Sequence, residues 1–301
     1  MATDLDAALE PVRPRDPLAA PPERTAPRNY KALRLTASYL VLILLAALVL
    51  FPVWMTIVRA ISDPVRWLFQ GRPKYPRWID WNVFSRAWNR GDLASGLVRS
   101  LVATSLITGV QLVTSTTSAY AFAFLDFPLK KVIFALFMAS LLLPIEVTLI
   151  ANTEFMRNHH WTSTYQGLVL PFLATALGTF LLRQGFLGIP QDIRDATRMD
   201  GVGHLRFLSR FAVPLTRPVI GSFTVISFLG AWNQYVWPRA VIDRESFYTV
   251  QLSLTKLASD TPQDANLGPA GALIVALPIL ILLIVFQRTI VRGLTAGAVK
   301  G

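Results

Sequence analysis

Six stretches of this chain run for more than twenty residues with almost no formal charge, and nothing else in the sequence constrains the fold as strongly. Leu35–Val58 holds 24 residues, Ser100–Leu125 26, and Val132–Thr153 22 with Glu146 as its one charge. Asn158–Leu182 holds 25 if His159 and His160 are neutral, Pro218–Pro238 21, and Ala265–Gln287 23. About 20 apolar residues rising 1.5 Å each cross a hydrocarbon layer of about 30 Å. Lipid offers no hydrogen bonds, so such a segment has to satisfy its backbone as a helix. The expectation is an all-α integral membrane domain over residues 35–301 with six transmembrane helices. Pro52, Pro144, Pro171 and Pro278 fall inside or near the ends of the runs and predict kinks.

The charges support that reading. Only 16% of residues are charged, against about 25% in soluble domains. The formal net charge of +11 is divided among the segments between spans, so the expected partner is membrane lipid and no nucleic acid. Residues 1–34 carry six prolines among alanines and scattered charges, the composition of a disordered tail. The apolar run after this tail starts late and is too long for a cleaved signal peptide, so it reads as an uncleaved anchor. With the N-terminus inside, the inner segments hold 17 basic residues and the outer ones 12. Positive charge favours the cytoplasmic side, which makes the tail cytoplasmic, although the 59–99 loop with its eight basic residues weakens the asymmetry.

Several chemistries have no support. There are no cysteines, which excludes a disulfide scaffold and thiolate metal sites. No phosphate-cradling GxxxxGK[ST] sequence occurs, and neither does GxSxG or HExxH. His159, His160 and His204 lack helix-spaced ligand partners. The expectation is therefore no catalytic, cofactor-binding or metal-binding residue on this chain.

The most informative segment is the loop at about 190–212. Pro190 suits a first helical turn, and Asp192 and Asp195 suit its positive end. Ile193, Ala196, Met199 and Asp200 follow at three-to-four spacing. Gly201 and Gly203 then allow a reversal, and a second short helix over Leu205–Phe211 leads to the fifth span at Pro214. Periodicity alone leaves two readings open, an amphipathic loop resting on headgroups or a docking element. The loop resembles the EAA loop of bacterial ABC importer permeases: Glu-Ala-Ala, three residues, Gly, nine residues, then Ile-x-Leu-Pro. Asp195-Ala196-Thr197, Gly201 and Phe211-Ala212-Val213-Pro214 fall at those spacings, with Asp for Glu, Thr for Ala, Phe for Ile and Val for Leu.

That resemblance implies a cytoplasmic helix–turn–helix coupling loop that docks on an ATPase subunit through Asp195, Ala196, Thr197, Met199, Asp200, Gly201 and Pro214. It also implies a bacterial inner-membrane complex with a homologous second permease, two ATPase subunits that carry ATP and Mg, and an extracytoplasmic solute-binding protein. Phe180-Leu181-Leu182-Arg183-Gln184 and Val291-Arg292-Gly293-Leu294-Thr295-Ala296-Gly297 resemble carbohydrate-type importers. Leu143-Pro144-Ile145-Glu146-Val147 and Trp232-Asn233-Gln234-Tyr235-Val236-Trp237-Pro238 resemble second permease subunits of the branch that imports sn-glycerol-3-phosphate and glycerophosphodiesters. A neutral di- or oligosaccharide is the alternative substrate. An ion-coupled secondary transporter with Glu146 as proton carrier is the rival mechanism, and the loop spacing argues against it.

For the translocation pathway the candidates are Glu146, Asn233, Gln234, Trp232 and Tyr235. Treating the third run as one straight helix puts Glu146 roughly 21 Å from the cytoplasmic end, where a carboxylate has to face protein or water. Asn233 and Gln234 fall at similar depth, or serve as bonds between helices. Trp232, Tyr235 and Trp237 read as an outer aromatic belt or as a substrate wall. The hydroxyl-rich second span, from Thr104 to Ser118, is expected to pack on a partner permease. Arg183 and Arg217 are expected to reach headgroups.

Overall fold

The structure, a computed structural model, describes residues 28–259 and 261–295. It divides into two units, residues 1–53 and 54–301. In the first unit the described part belongs to helix α1 (Arg28–Ile61), which starts ahead of the expected Leu35; residues 1–27 of the expected tail lie outside the described residues. Its apolar side chains stand open, Leu44 and Leu48 at 70% exposure, as suits a lipid-facing segment.

The second unit takes in the last turns of α1. Its helices continue as α2 (Pro64–Phe69), α3 (Val83–Arg90), α4 (Leu93–Phe124), α5 (Lys130–Ala139), α6 (Ile145–Asn158), α7 (Tyr165–Val169) and α8 (Ala176–Leu187). There follow α9 (Gln191–Met199), α10 (His204–Phe207), α11 (Val213–Leu215), α12 (Arg217–Trp232), α13 (Val236–Val241), α14 (Val250–Ser253) and α15 (Leu267–Thr295). Among the described residues the only β pairing is one bridge between Ser62 and Ile79, so the all-α expectation holds. The 59–99 segment, expected as a loop, folds α2 and α3; the Asp63 carboxylate caps α2 by accepting from the Arg66 N–H.

Three helical segments are long and apolar enough to cross a bilayer: Arg34–Ile61, Leu93–Phe124 and Pro262–Arg288. Three further pairs would raise the number to six if each bent pair is one span: 130–142 with 146–158, 165–172 with 176–187, and 204–215 with 217–232. They turn by 96°, 47° and 81°. The first break has a plain cause. Pro144 holds φ −66° and ψ 142° at the start of α6, and Leu143 before it is extended, the conformation a proline imposes on its predecessor. Pro52 and Pro278, by contrast, sit inside α1 and α15 without ending them.

The core has three apolar clusters, and α4 runs past all of them. Leu93 joins the end of α1, α3 and α15, with Val58's neighbours Ala60 and Ile61, Val83 and Leu267 buried. Ala103 and Ile107 join Met156, Leu168, Trp237 and Leu252. Ala119, Tyr120 and Phe124 join Leu182, Phe186, Phe207 and Phe223.

Gln111, Thr114, Ser118 and Ser100 of α4 are used within the chain, whereas Ser105 and Thr117 stay exposed. The Gln111 amide donates to the Phe172 carbonyl at 2.6 Å, and its oxygen accepts from the Ser227 hydroxyl at 2.7 Å. The Thr114 hydroxyl donates to the Leu173 carbonyl at 2.8 Å. These carbonyls lie at the break before α8, where helix ends leave acceptors without intrahelical donors. Ser118 pairs with Thr179 at 2.7 Å, and Ser100 accepts from the Val250 N–H at 2.8 Å. Gly178 on α8 lets three elements meet: a Cβ there would collide with Phe223 and Ser115.

The ends of α4 sort the loops. At the Leu93 end, Arg90 pairs with Asp264 at 2.5 Å, and the Asn266 amide reaches the Ser62 carbonyl at 3.4 Å. At the Phe124 end sit α9 and α10. The segments expected outside thus gather at one end, and the expected coupling loop lies at the other.

Replacing Gln111 with Leu leaves the Phe172 carbonyl and the Ser227 hydroxyl short of a partner. An unmet buried group costs about 1–3 kcal/mol, so Gln111→Leu should lower the unfolding temperature in detergent by several degrees. An unchanged transition would show that the bridge contributes nothing to stability.

Candidate functional site

The 190–212 loop consists of α9, a turn at Gly201 and the short α10, with the capping of α9 written in the sequence. The Gly201 N–H donates to the Arg198 carbonyl and the Val202 N–H to the Thr197 carbonyl, both at 3.0 Å. Gly201 has φ +69°. This pair of bonds closing on a left-handed residue is the Schellman arrangement, which favours glycine because it has no Cβ. Pro190 stands just before the helix, which begins at Gln191.

Of the residues expected to dock, Thr197 is the one that α9 turns inward. Thr197 is buried and Ile193 half-buried against α4, with the Thr197 hydroxyl donating to the Arg194 carbonyl at 2.9 Å. Asp195, Ala196, Asp200 and Gly201 face outward, and Met199 is 84% exposed. Leu205 on α10 is 83% exposed. Two large apolar side chains thus flank the turn without cover from the rest of the second unit. Around Gly201 a Cβ would meet nothing within 4 Å, so backbone conformation, not crowding inside the chain, is what calls for glycine there. Pro214 is half-buried within α11.

The loop is anchored by an aromatic cluster. Tyr120, Phe124, Phe186 and Phe207 pack edge-on or tilted with centroids 5.1–6.4 Å apart. The Tyr120 hydroxyl meets His204 Nδ1 at 2.9 Å. Sequence reading missed this contact because His204 was weighed only as a metal ligand. Arg183, expected at headgroups, instead donates from Nε to the Phe122 carbonyl at 3.2 Å and lies over the Phe134 ring.

The expected pathway residues fall into separate surroundings. The bend at Pro144 removes the straight helix on which the depth of Glu146 was reckoned. Glu146 lies in the first turn of α6, exposed, where an acid complements the positive helix end. Among the described residues no hydrogen bond or ion pair joins it to Asn233 or Gln234. Asn233 ends α12, donating to the Leu229 carbonyl at 3.0 Å. Gln234 and Trp232 line a cavity of about 10 Å³ with Ser100, Thr104 and Thr249, room for about one water. Trp232 and Trp237 are each 2% exposed, and the Trp237 indole donates to the Gly167 carbonyl at 3.0 Å. They belong to the interior, and only Tyr235, at 44% exposure, suits a belt.

The comparisons with known proteins bear on the whole chain. Residues 96–295 match the family model described as binding-protein-dependent transport system inner membrane component. The sn-glycerol-3-phosphate transport system permease protein UgpE of Yersinia pestis bv. Antiqua (strain Antiqua) is 31% identical over 85% of this chain and 94% of its own. The arabinooligosaccharides transport system permease protein AraQ of Bacillus subtilis (strain 168) is 28% identical over 86% and 93%. Among solved structures, a bacterial ABC transporter involved in the import of the acidic polysaccharide alginate shares the fold, with a TM-score of 0.75 at 20% identity over 87% of this chain and 98% of that one. With two thirds of its length matched from the start of α4 to the end of α15, the chain belongs to the family of binding-protein-dependent transport system inner membrane components.

Proposed function

We propose that this chain is one of two homologous permease subunits of an inner-membrane ABC importer, with six spans and α9–α10 as its cytoplasmic coupling loop. The complex would include two ATPase subunits, which bind ATP and Mg, and an extracytoplasmic solute-binding protein. The observation that carries this is the turn at Gly201, held by its own backbone bonds with Met199 and Leu205 exposed on either side. An apolar pair in that position suits a cleft on a partner, since burying a large apolar side chain contributes about 1.5–3 kcal/mol. The resemblance of the Asp195, Gly201 and Pro214 spacing to the EAA loop supports an ATPase as that partner. Gathering of the 59–92 and 242–266 segments at the opposite end of α4 supports a cytoplasmic N-terminus.

The substrate on this reading is sn-glycerol-3-phosphate or a glycerophosphodiester, supported by the UgpE likeness. The AraQ likeness supports a neutral oligosaccharide as the second reading. No arginine stands among the pathway candidates to grip a phosphate bidentately, so the binding protein and partner permease would hold it. A choline-bearing diester would bring its ammonium to Glu146 or the exposed Tyr235 ring.

Three measurements test this. Met199→Asp with Leu205→Asp should leave insertion intact and abolish coupled ATP hydrolysis. Gly201→Asp, which forces a left-handed side-chain residue at a cost of roughly 1–2 kcal/mol, should impair it as well. Full hydrolysis by both purified complexes would sink the docking role.

Because the chain has no cysteine, a single Cys placed at position 200 is a unique label. It should react with an impermeant maleimide only in inside-out vesicles, whereas labelling of intact spheroplasts would reverse the topology.

Uptake of glycerol-3-phosphate, glycerophosphocholine and a disaccharide panel should favour the phosphates, with Glu146→Gln changing the rate or the preference among them. Entry of sugars alone would reassign the substrate without touching the importer class. Wild-type uptake by the variant would remove Glu146 from the pathway.

A further inference from the structure

Besides the exposed Met199 and Leu205, the 190–212 loop carries a second feature on the side toward α4. A cavity of about 170 Å³ opens between α9, α10 and the end of α4, lined by Tyr120, Phe124, Arg194, Arg198 and His204 among others. That is several times the roughly 30 Å³ of one water. No aspartate or glutamate lines it, and among the described residues neither arginine enters an ion pair.

Arg194 and Arg198 stand four residues apart on one helix, where like charges repel. A fold normally relieves such a pair with an acid, and here it leaves them facing the same space. The Arg194 guanidinium lies over the Phe124 ring at 4.6 Å, a contact that keeps it against the wall of the cavity. His204 is held by Tyr120 at 2.9 Å. A planar guanidinium is the group best suited to bind a tetrahedral oxyanion through paired N–H donors.

The position fits the same chemistry. Helix α4 has 32 residues, about 48 Å at 1.5 Å per residue, so a centred α4 extends about 9 Å past a 30 Å hydrocarbon layer at each end. On that placement Tyr120 and Phe124 stand at the depth where phosphates are found, whether on lipid headgroups or in solution beside them. We propose that this cavity binds a phosphate group between Arg194 and Arg198, and that the bound phosphate fixes α9 and α10 against the end of α4.

The full-length chain, purified with its copurifying subunits in neutral detergent, is titrated with two probes, inorganic phosphate and short-chain phosphatidylglycerol. Binding is followed by native mass spectrometry and by the rise in unfolding temperature. At least one probe should bind the wild type, and Arg194→Gln with Arg198→Gln should weaken it tenfold or more. Arg194→Lys with Arg198→Lys, which keeps the charge and loses the fork, should fall between. Binding of phosphate alone assigns a soluble ligand, and binding of phosphatidylglycerol alone assigns a headgroup; either supports the site. Equal affinity in the wild type and the glutamine pair overturns it, as does failure of both probes. Failure of both together with loss of the ATPase from the glutamine pair assigns the cavity to an acidic side chain of that subunit, which also overturns it. Should the glutamine pair not give monodisperse protein, the lysine pair decides, and unchanged affinity for both probes is then the overturning result.

Discussion

A helix broken inside a bilayer exposes carbonyls and N–H groups that lipid cannot answer, and each one costs several kcal/mol. If the bent pair 165–187 is one span, its break is tolerable because α4 supplies the missing partners. Gln111 and Thr114 reach the carbonyls of Phe172 and Leu173 at the break before α8. A purely apolar α4 would have left this break unmet. The hydroxyls and amide on that helix are thus a condition of the fold before they are anything else.

This bears on how movement is distributed. Gln111 bonds Phe172 and Ser227 at once, so the end of the 165–172 segment and α12 are linked through one side chain. A change of angle at the break before α8 has to strain or release the bond to Ser227 inside α12. A transporter that rocks between two states needs elements with two discrete arrangements, and a shared amide couples two such elements directly.

Much of this was legible in the chain and some was not. The apolar runs are long enough to declare helices from hydropathy alone, and Gly201 with its flanking spacing announced the loop. Pro144 announced a kink, but a proline does not specify its size, since a kink and a 96° turn share one sequence signature. That is why the depth of Glu146 could not be read. The burial of Trp232 and Trp237 was also hidden: a tryptophan at a span end suits an interface as well as a core, and only tertiary packing decides. The hydroxyls of α4 carried the same ambiguity, because small polar residues promote helix contact without saying whose helix. Arg194 and Arg198 were visible at helical spacing, but the aromatic floor beneath them comes from α4, some seventy positions away.

Gly178 has a meaning that reaches beyond this one chain. The space its missing Cβ would take is filled by Phe223 from α12 and Ser115 from α4, so three distant positions share one fixed volume. In a close-packed interior such a volume is conserved as a sum, not residue by residue. An alanine or serine at the equivalent of 178 in a relative should therefore be accompanied by a smaller residue at 223 or 115. The evolutionary record of this contact would then be a correlated drift in size among the three, with no one of them invariant.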